Sequence, residues 1–531
     1  MKTKILFEFF AVCLLLHMGL NFSNAQVTKL WASYYNSPTN ASDIAKAIAV
    51  DNEGNIYVTG ESPSTGTGID FATVKYNSAG VQQWSVRYNR LGSLADRPSG
   101  IVVDDAGNVY VTGVSSLGAG YSVLTTVKYN SAGIQQWAAR KGDTIRTSAP
   151  SPFKSPIGLD NSGNIYVGGI TRVSAIENGS YLLIKYDSNG DSLWSRTYDG
   201  TSLTAGLGSS VSVVKVAGNY VYVTGKSYDM SPNRTYATTI KYDLDGVLQW
   251  IVKDSLINGS DDVKDMDIDP AGNVIVTCDF GFNILTIKYD PEGNRLWRTY
   301  YTGIAGDHYD EVTGVDTDLS GNIFITGNSD RSVSDRDFLT LKYDINGNQL
   351  WEKFYNGSGN DGDYSNDIHV DNAGNCYITG TAYQTGFHTD IATIKYNTAG
   401  VQQWSITFDG ENNTDNDYGN AIVVDSSGNV IVTGLASRPA GHGDDFATVK
   451  FSQASSSVLN MTAYIQGFYD PGSNSMIADT ASVYLRSSTA PYNKIDSAKG
   501  VLSNSGTGSF TFNNAAGGTN YYLALLHRNS I

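Results

Sequence analysis

One motif recurs eight times along this chain, and that periodicity leaves few folds open. Gly-Asn pairs stand at 54, 107, 163, 218, 272, 321, 374 and 428, and most open a version of GNIYVTG. A lysine followed by an aromatic residue returns at Lys75, Lys128, Lys185, Lys241, Lys288, Lys342, Lys395 and Lys450. The 8 tryptophans are Trp31, Trp84, Trp137, Trp194, Trp250, Trp297, Trp351 and Trp404, one for each unit. A unit of roughly 50 residues repeated this often is the mark of an array whose units bury their faces against one another.

Each unit divides into four short segments rich in Val, Ile, Thr and Tyr, a composition that favours strands. In the first unit they are expected at Ala45–Asp51, Asn55–Glu61, Asp70–Asn77 and Val81–Tyr88. The turns have a mechanism. Asp51 and Asn77 each start a turn that ends in Gly54 or Gly80, where positive φ is cheap. No segment holds a helical period. The reading is an all-β, eight-bladed β-propeller. Its closure is written in the ends of the array. Trp31 precedes any complete unit, and the last unit breaks off after Lys450-Phe451, where a Trp strand is due. Leu30–Tyr35 is therefore predicted to pair with Asp445–Phe451 and complete blade eight, which removes the open sheet edges.

The pattern VDxxGNxYVTG, followed by DFATVKYNxxGxxQW, resembles the secreted bacterial β-propeller repeat called SBBP, and it spans about residues 27–452. The resemblance implies a surface or secreted protein that binds or scaffolds. Gly four residues before Trp, as in Gly80/Trp84 and Gly347/Trp351, is also similar to the tryptophan docking motif of the eight-bladed pyrroloquinoline quinone dehydrogenases. Here the turn is one residue shorter and the motif's Thr is absent.

The ends carry other signals. Lys2 and Lys4 precede an apolar run, and Ser23-Asn24-Ala25 offers small residues for cleavage, so residues 1–25 form an expected signal peptide and the protein is expected outside the cell or at its surface. No later run reaches the ~18 apolar residues of a membrane span. The net charge of −16 disfavours nucleic acid as a partner. Past the propeller at 26–451, a polar linker at 452–457 leads to alternating segments over 458–531, expected to form a small β-sandwich-like module that the chain leaves incomplete. Cys278 and Cys376 fall in non-adjacent units and are expected to be free thiols inside the core.

Most conspicuous residues repeat in every blade, which argues against any one of them as a catalytic group. The Lys stems and Trp rings are expected to pack between blades. One series invites a site. Asp43, Asp96, Asp261, Asp310, Asp363 and Asp417 each lie eight residues before the Asp that ends the first strand, whereas Pro152 and Leu207 hold that place in units three and four. These six are expected either to cap the backbone of the incoming loop or to form a Ca²⁺-binding rim at one mouth of the channel. Asp316-x-Asp318-x-Ser320-Gly321 looks like half a calcium loop but coincides with the repeated turn. His308, His369, His388, His442 and His527 lack zinc-like spacing. With no unique catalytic cluster, no catalytic residue and no further cofactor are expected. The reading is a non-enzymatic binding or scaffold propeller for a protein or glycan. The alternative is a propeller enzyme, a polysaccharide hydrolase or lyase or else a quinoprotein, which would need the repeat broken at one place.

Overall fold

A computed structural model describes residues 27–527, apart from 91–93, 119–120, 147–155, 172–178, 199–208, 230–233, 257–260, 304–308, 333–334, 387, 411–414, 439–442, 454–456, 463–468, 471, 474, 477, 488–492 and 513–520. The expected signal peptide, Pro152, Leu207, His308 and His442 lie outside the described residues.

Eight four-stranded antiparallel sheets follow one another around a ring. Blade one consists of Ile44–Val50, Ile56–Ser64, Gly68–Tyr76 and Gln82–Tyr88. The first strands touch in succession, from Ile44–Val50 through each blade to Tyr418–Val424 and back to Ile44–Val50, so they form the innermost wall. The second and third strands are covered by neighbouring blades on both faces. Ile56, Tyr57, Val58, Thr59, Phe71, Ala72, Thr73 and Val74 are all fully buried. A strand buried on both faces carries a continuous apolar run, which is why the repeat spells IYV instead of alternating. Cys278 and Cys376 sit in this layer as free, buried thiols.

The ring closes as its ends predict. Thr28–Tyr35 is the outermost strand of blade eight, beside Asp445–Ser452. Tyr35 packs on Phe446, with ring centroids 5.2 Å apart.

Adjacent blades are joined by a repeated clasp. Seven of the eight outermost strands offer a Trp whose indole N–H donates to a turn carbonyl of the next blade. Trp84 reaches Ser131 at 3.0 Å, Trp137 reaches Ser188 at 3.1 Å and Trp250 reaches Pro291 at 3.0 Å. The repeated Lys of the same blade donates to the same carbonyl, as Lys128 does to Ser188 at 2.8 Å and Lys241 to Pro291 at 2.7 Å. Its ammonium lies over the aromatic ring of the second strand, with Lys128 Nζ 5.1 Å from the Tyr110 centroid. The turn glycine lies flat on the indole. Gly133 has φ of 78°, and a Cβ there would stand 2.7 Å from Trp84 Cδ2, so both conformation and space demand glycine.

Trp404 departs from this pattern. It is 6% exposed, and its Nε1 has no hydrogen-bond acceptor. The next outermost strand is Thr28–Tyr35, which has no turn of its own blade before it to supply the carbonyl. The way the ring closes thus leaves one clasp unmade.

Ser452–Ile531 belongs to a separate compact unit. There Asp479–Ser487 pairs with Lys494–Leu502 and Tyr521–His527, and Ser457–Thr462 pairs with Thr507–Phe512, all antiparallel. Ala481, Val483 and Leu485 alternate inward.

Candidate functional site

The innermost strands break the eightfold repetition. Two residues before the Asp or its equivalent that ends each first strand stand Ala49, Val102, Gly158, Lys215, Asp267, Asp316, His369 and Val423. Four consecutive blades thus present polar groups, and the other four present small or apolar ones. The Lys215 ammonium donates to Asp267 Oδ1 at 2.7 Å. Thr317 donates its hydroxyl to Asp267 Oδ2 at 2.6 Å. His369 Nδ1 stands 3.8 Å from Asp316 Oδ2. The His369 ring also feels the charge of Lys215, which sits three blades away. Both side chains therefore project into the shared central space.

The electrostatics follow from crowding. Burial, then the Asp267 carboxylate, push the Asp316 carboxyl up to about 8, although Lys215 and hydrogen bonds from Val370 and Thr317 oppose this. Burial works against a charge on Lys215, but Asp267, Asp265 and Asp316 outweigh it and raise its pKa above the usual lysine value. Burial lowers the His369 pKa, so the ring favours its neutral form. Several of these carboxylates also tie blades together. Asp265 Oδ2 accepts the Val315 N–H at 3.0 Å, Asp316 Oδ2 that of Val370 at 2.7 Å, and Asp367 Oδ2 that of Ile422 at 3.0 Å. Chemically, the wall offers one firm cation, a neutral imidazole, a carboxyl that holds its proton near neutrality and an excess of carboxylates.

The six aspartates singled out in sequence are placed differently. All are at most 2% exposed. Each accepts a backbone N–H from the crossover into its blade or from the end of its blade's second strand: Asp43 from Ser37 at 2.6 Å, Asp96 from Arg90 at 2.9 Å, Asp261 from Gly281 at 3.0 Å and Asp310 from Gly303 at 2.7 Å. Asp363 takes both Gly357 and Tyr383, at 2.5 and 2.6 Å, and Asp417 takes Gly410 and Ser437, at 2.6 and 2.9 Å. This is the geometry of loop caps. The half calcium loop is a turn, in which Asp318 Oδ1 accepts the N–H groups of Ser320 and Asn322 at 3.0 and 2.9 Å. Among the described residues, the three-member His/Cys/Asp/Glu group with ligand atoms within 4.8 Å of one another is His388, Asp390 and Asp409.

The beta-propeller repeat family matches residues 31–66 and 83–116, within blades eight, one and two. Those two stretches are similar to the SBBP repeat. An uncharacterized WD repeat-containing protein of Acanthamoeba polyphaga mimivirus is 24% identical over 443 residues, which take in 64% of this chain and 30% of the viral protein, so the chain spans under a third of that relative. Three solved structures are similar in outline. Sqt1 from Chaetomium thermophilum has a TM-score of 0.45 at 10% identity, covering 79% of this chain and 97% of its own. A polysaccharide lyase named as an ulvan lyase has a TM-score of 0.41 at 12% identity, covering 78% and 95%. A protein of unknown function from Dyadobacter fermentans has a TM-score of 0.38 at 10% identity, covering 80% and 99%.

Against the uniform framework of the repeated blades, the channel-wall residues stand out only by difference. Attention to what the units share passes over Lys215 and Asp267, and it reads Asp316 and His369 only as part of a turn and as an isolated histidine. Comparing the units column by column for the positions that disagree is the signal that finds them.

Proposed function

We propose that this chain is a non-enzymatic, exported binding propeller, acting at the cell envelope or outside the cell on a protein or glycan. Export rests on the leader-like residues 1–25. Binding rests on one observation above the others: the inner strands break the repeat with a polar stripe on the channel wall, and most of its carboxylates are already engaged with backbone N–H groups or with Lys215. Groups held this way present a fixed charge pattern. They are poorly placed to exchange protons through a catalytic cycle. The carboxylate excess favours a cationic peptide segment or a neutral, hydroxyl-rich glycan over an anionic polymer.

A second reading, lyase or hydrolase chemistry on a polysaccharide, is favoured by the Asp316 carboxyl at about 8 beside a neutral His369 ring. The two part in one experiment. The purified chain is titrated by calorimetry with cationic peptides and neutral or anionic oligosaccharides, and each mixture is then assayed for new reducing or unsaturated sugar ends. Saturable binding that weakens in Asp267→Asn, with no new ends, supports the binding reading. Steady release of new ends, abolished in Asp316→Asn, overturns it.

A further inference from the structure

The other irregularity lies in blade seven. Its third strand, His388–Tyr396, carries Asp390, the counterpart of Asp70 in blade one and Asp445 in blade eight. In those two blades an arginine neutralises the buried carboxylate. Asp70 meets Arg87 at 3.0 Å and Asp445 meets Arg438 at 3.5 Å. Arg87 pairs in register with Ala72, and the matching pair in blade seven is Ala392 with Thr407. The guanidinium of blade one is therefore replaced by a short neutral side chain. Around Asp390 stand instead the His388 ring and a second carboxylate, Asp409.

A buried carboxylate deprived of its cation is costly, and a second carboxylate beside it adds to the cost. Here the compensation is missing. Asp390 is 5% exposed, and its Oδ1 accepts no hydrogen bond, standing 3.5 Å from His388 Nε2. His388 is 9% exposed, and its Nδ1 has no partner. Asp409 Oδ1 is buried and also accepts nothing. One nitrogen and two oxygen ligand atoms from these residues lie within 4.8 Å of one another. Ligands held about 2.0–2.2 Å from a zinc ion are separated by up to ~4 Å, so small side-chain rotations would gather them.

We propose that His388, Asp390 and Asp409 bind a divalent transition-metal ion, with Zn²⁺ as the best match. The imidazole selects against Ca²⁺ and Mg²⁺, which prefer all-oxygen sets, and the two carboxylates neutralise the ion. The ion takes the place that arginine fills in blades one and eight. It ties the start of the third strand to the exit of the outermost strand, where the chain crosses to blade eight. Three protein ligands leave one position open on a tetrahedral ion for water or for an oxygen of a bound ligand.

The test uses the full chain without an affinity tag, stripped with chelator and titrated by calorimetry with Zn²⁺, Mn²⁺ and Ca²⁺. The expected result is one Zn²⁺ per chain, a melting temperature that rises with Zn²⁺, and a weaker or absent response to Ca²⁺. His388→Ala and Asp409→Asn should each abolish the stoichiometric binding. Asp409 is the less buried of the two, so Asp409→Asn guards against simple misfolding, which circular dichroism monitors. Asp70→Asn in blade one should leave the Zn²⁺ stoichiometry unchanged. Co²⁺ should give tetrahedral visible absorption that disappears in Asp409→Asn. No saturable Zn²⁺ binding, tighter binding of Ca²⁺, or Zn²⁺ binding that survives both variants would overturn the proposal.

Discussion

Trp31 donates its indole N–H to the carbonyl of Ser78, 3.2 Å away and 47 residues along the chain. A residue at the start of the chain thereby clasps the last turn of blade one while its own strand completes blade eight. Ser33 adds a second bond to the Gly80 carbonyl at 2.6 Å, and Arg87 reaches back to the Tyr35 hydroxyl at 3.3 Å. Deleting residues 26–36 would expose the edge of Asp445–Ser452 and unseat blade one. The expected outcome is a broad, multi-step melt in place of one cooperative transition, read by calorimetry. An unchanged transition would show that closure does not depend on this strand.

The unmade clasp gives a contrast between two tryptophans. Trp351 donates to the Thr398 carbonyl at 3.2 Å, whereas the buried Trp404 Nε1 has no acceptor. Trp351→Phe loses both ring volume and a hydrogen bond. Trp404→Phe loses volume but also relieves an unsatisfied buried N–H, worth about 1–3 kcal/mol. Trp404→Phe should therefore be less destabilising than Trp351→Phe by about 1 kcal/mol in urea denaturation. Equal losses would mean that the indole N–H contributes nothing at either site.

The turn glycines should tolerate no side chain. Gly133→Ala forces a Cβ against Trp84 at a φ of 78°. The expected loss exceeds ~1 kcal/mol. Gly66→Ala shares the positive φ but meets nothing within 4 Å, so it should cost less. The difference between the two isolates the packing against the indole.

The Asp316 carboxyl predicts a pH dependence. Its folded pKa of about 8 lies above the ordinary aspartate value of 3.8, so between those values the folded state binds the extra proton. Stability from this group is full at acid pH and declines as pH rises toward 8. Asp279, raised to about 6 chiefly by burial, acts in the same direction over a lower range. Asp316→Asn should flatten the decline between pH 6 and pH 8, as measured by urea midpoints across that range. A decline of the same size in the variant would remove Asp316 as its source.

The loop-capping aspartates should be costly to remove and indifferent to calcium. Asp363→Ala orphans the N–H groups of both Gly357 and Tyr383. A single lost cap costs about 0.5–2 kcal/mol, so this change should cost about 2–3 kcal/mol. Melting temperature should be the same in millimolar Ca²⁺ and in calcium chelator. A rise with Ca²⁺ that vanishes in Asp310→Asn and Asp363→Asn would instead make the six a calcium rim.

Repetition made the architecture legible before any coordinates. Eight copies of one four-stranded unit, a Gly where φ turns positive, and a stray Trp strand at the front are enough to specify blade count and closure, because each is a local rule repeated. The same repetition hid the chemistry. Lys215 and His369 lie 154 positions apart in the numbering and share a space only because eight inner strands close into one wall. Aligned repeats set Thr407 against Arg87, but only the structure shows that Arg87 reaches Asp70 and so what Asp390 lacks. The six aspartates were visible as a series, but whether a carboxylate faces a channel or a backbone N–H depends on where the crossover loop folds. Sequence by itself determined what each blade must be, since turn conformation and strand composition are local. The tertiary structure decided which side chains of different blades meet, since that depends on ring closure and on burial that no single repeat contains.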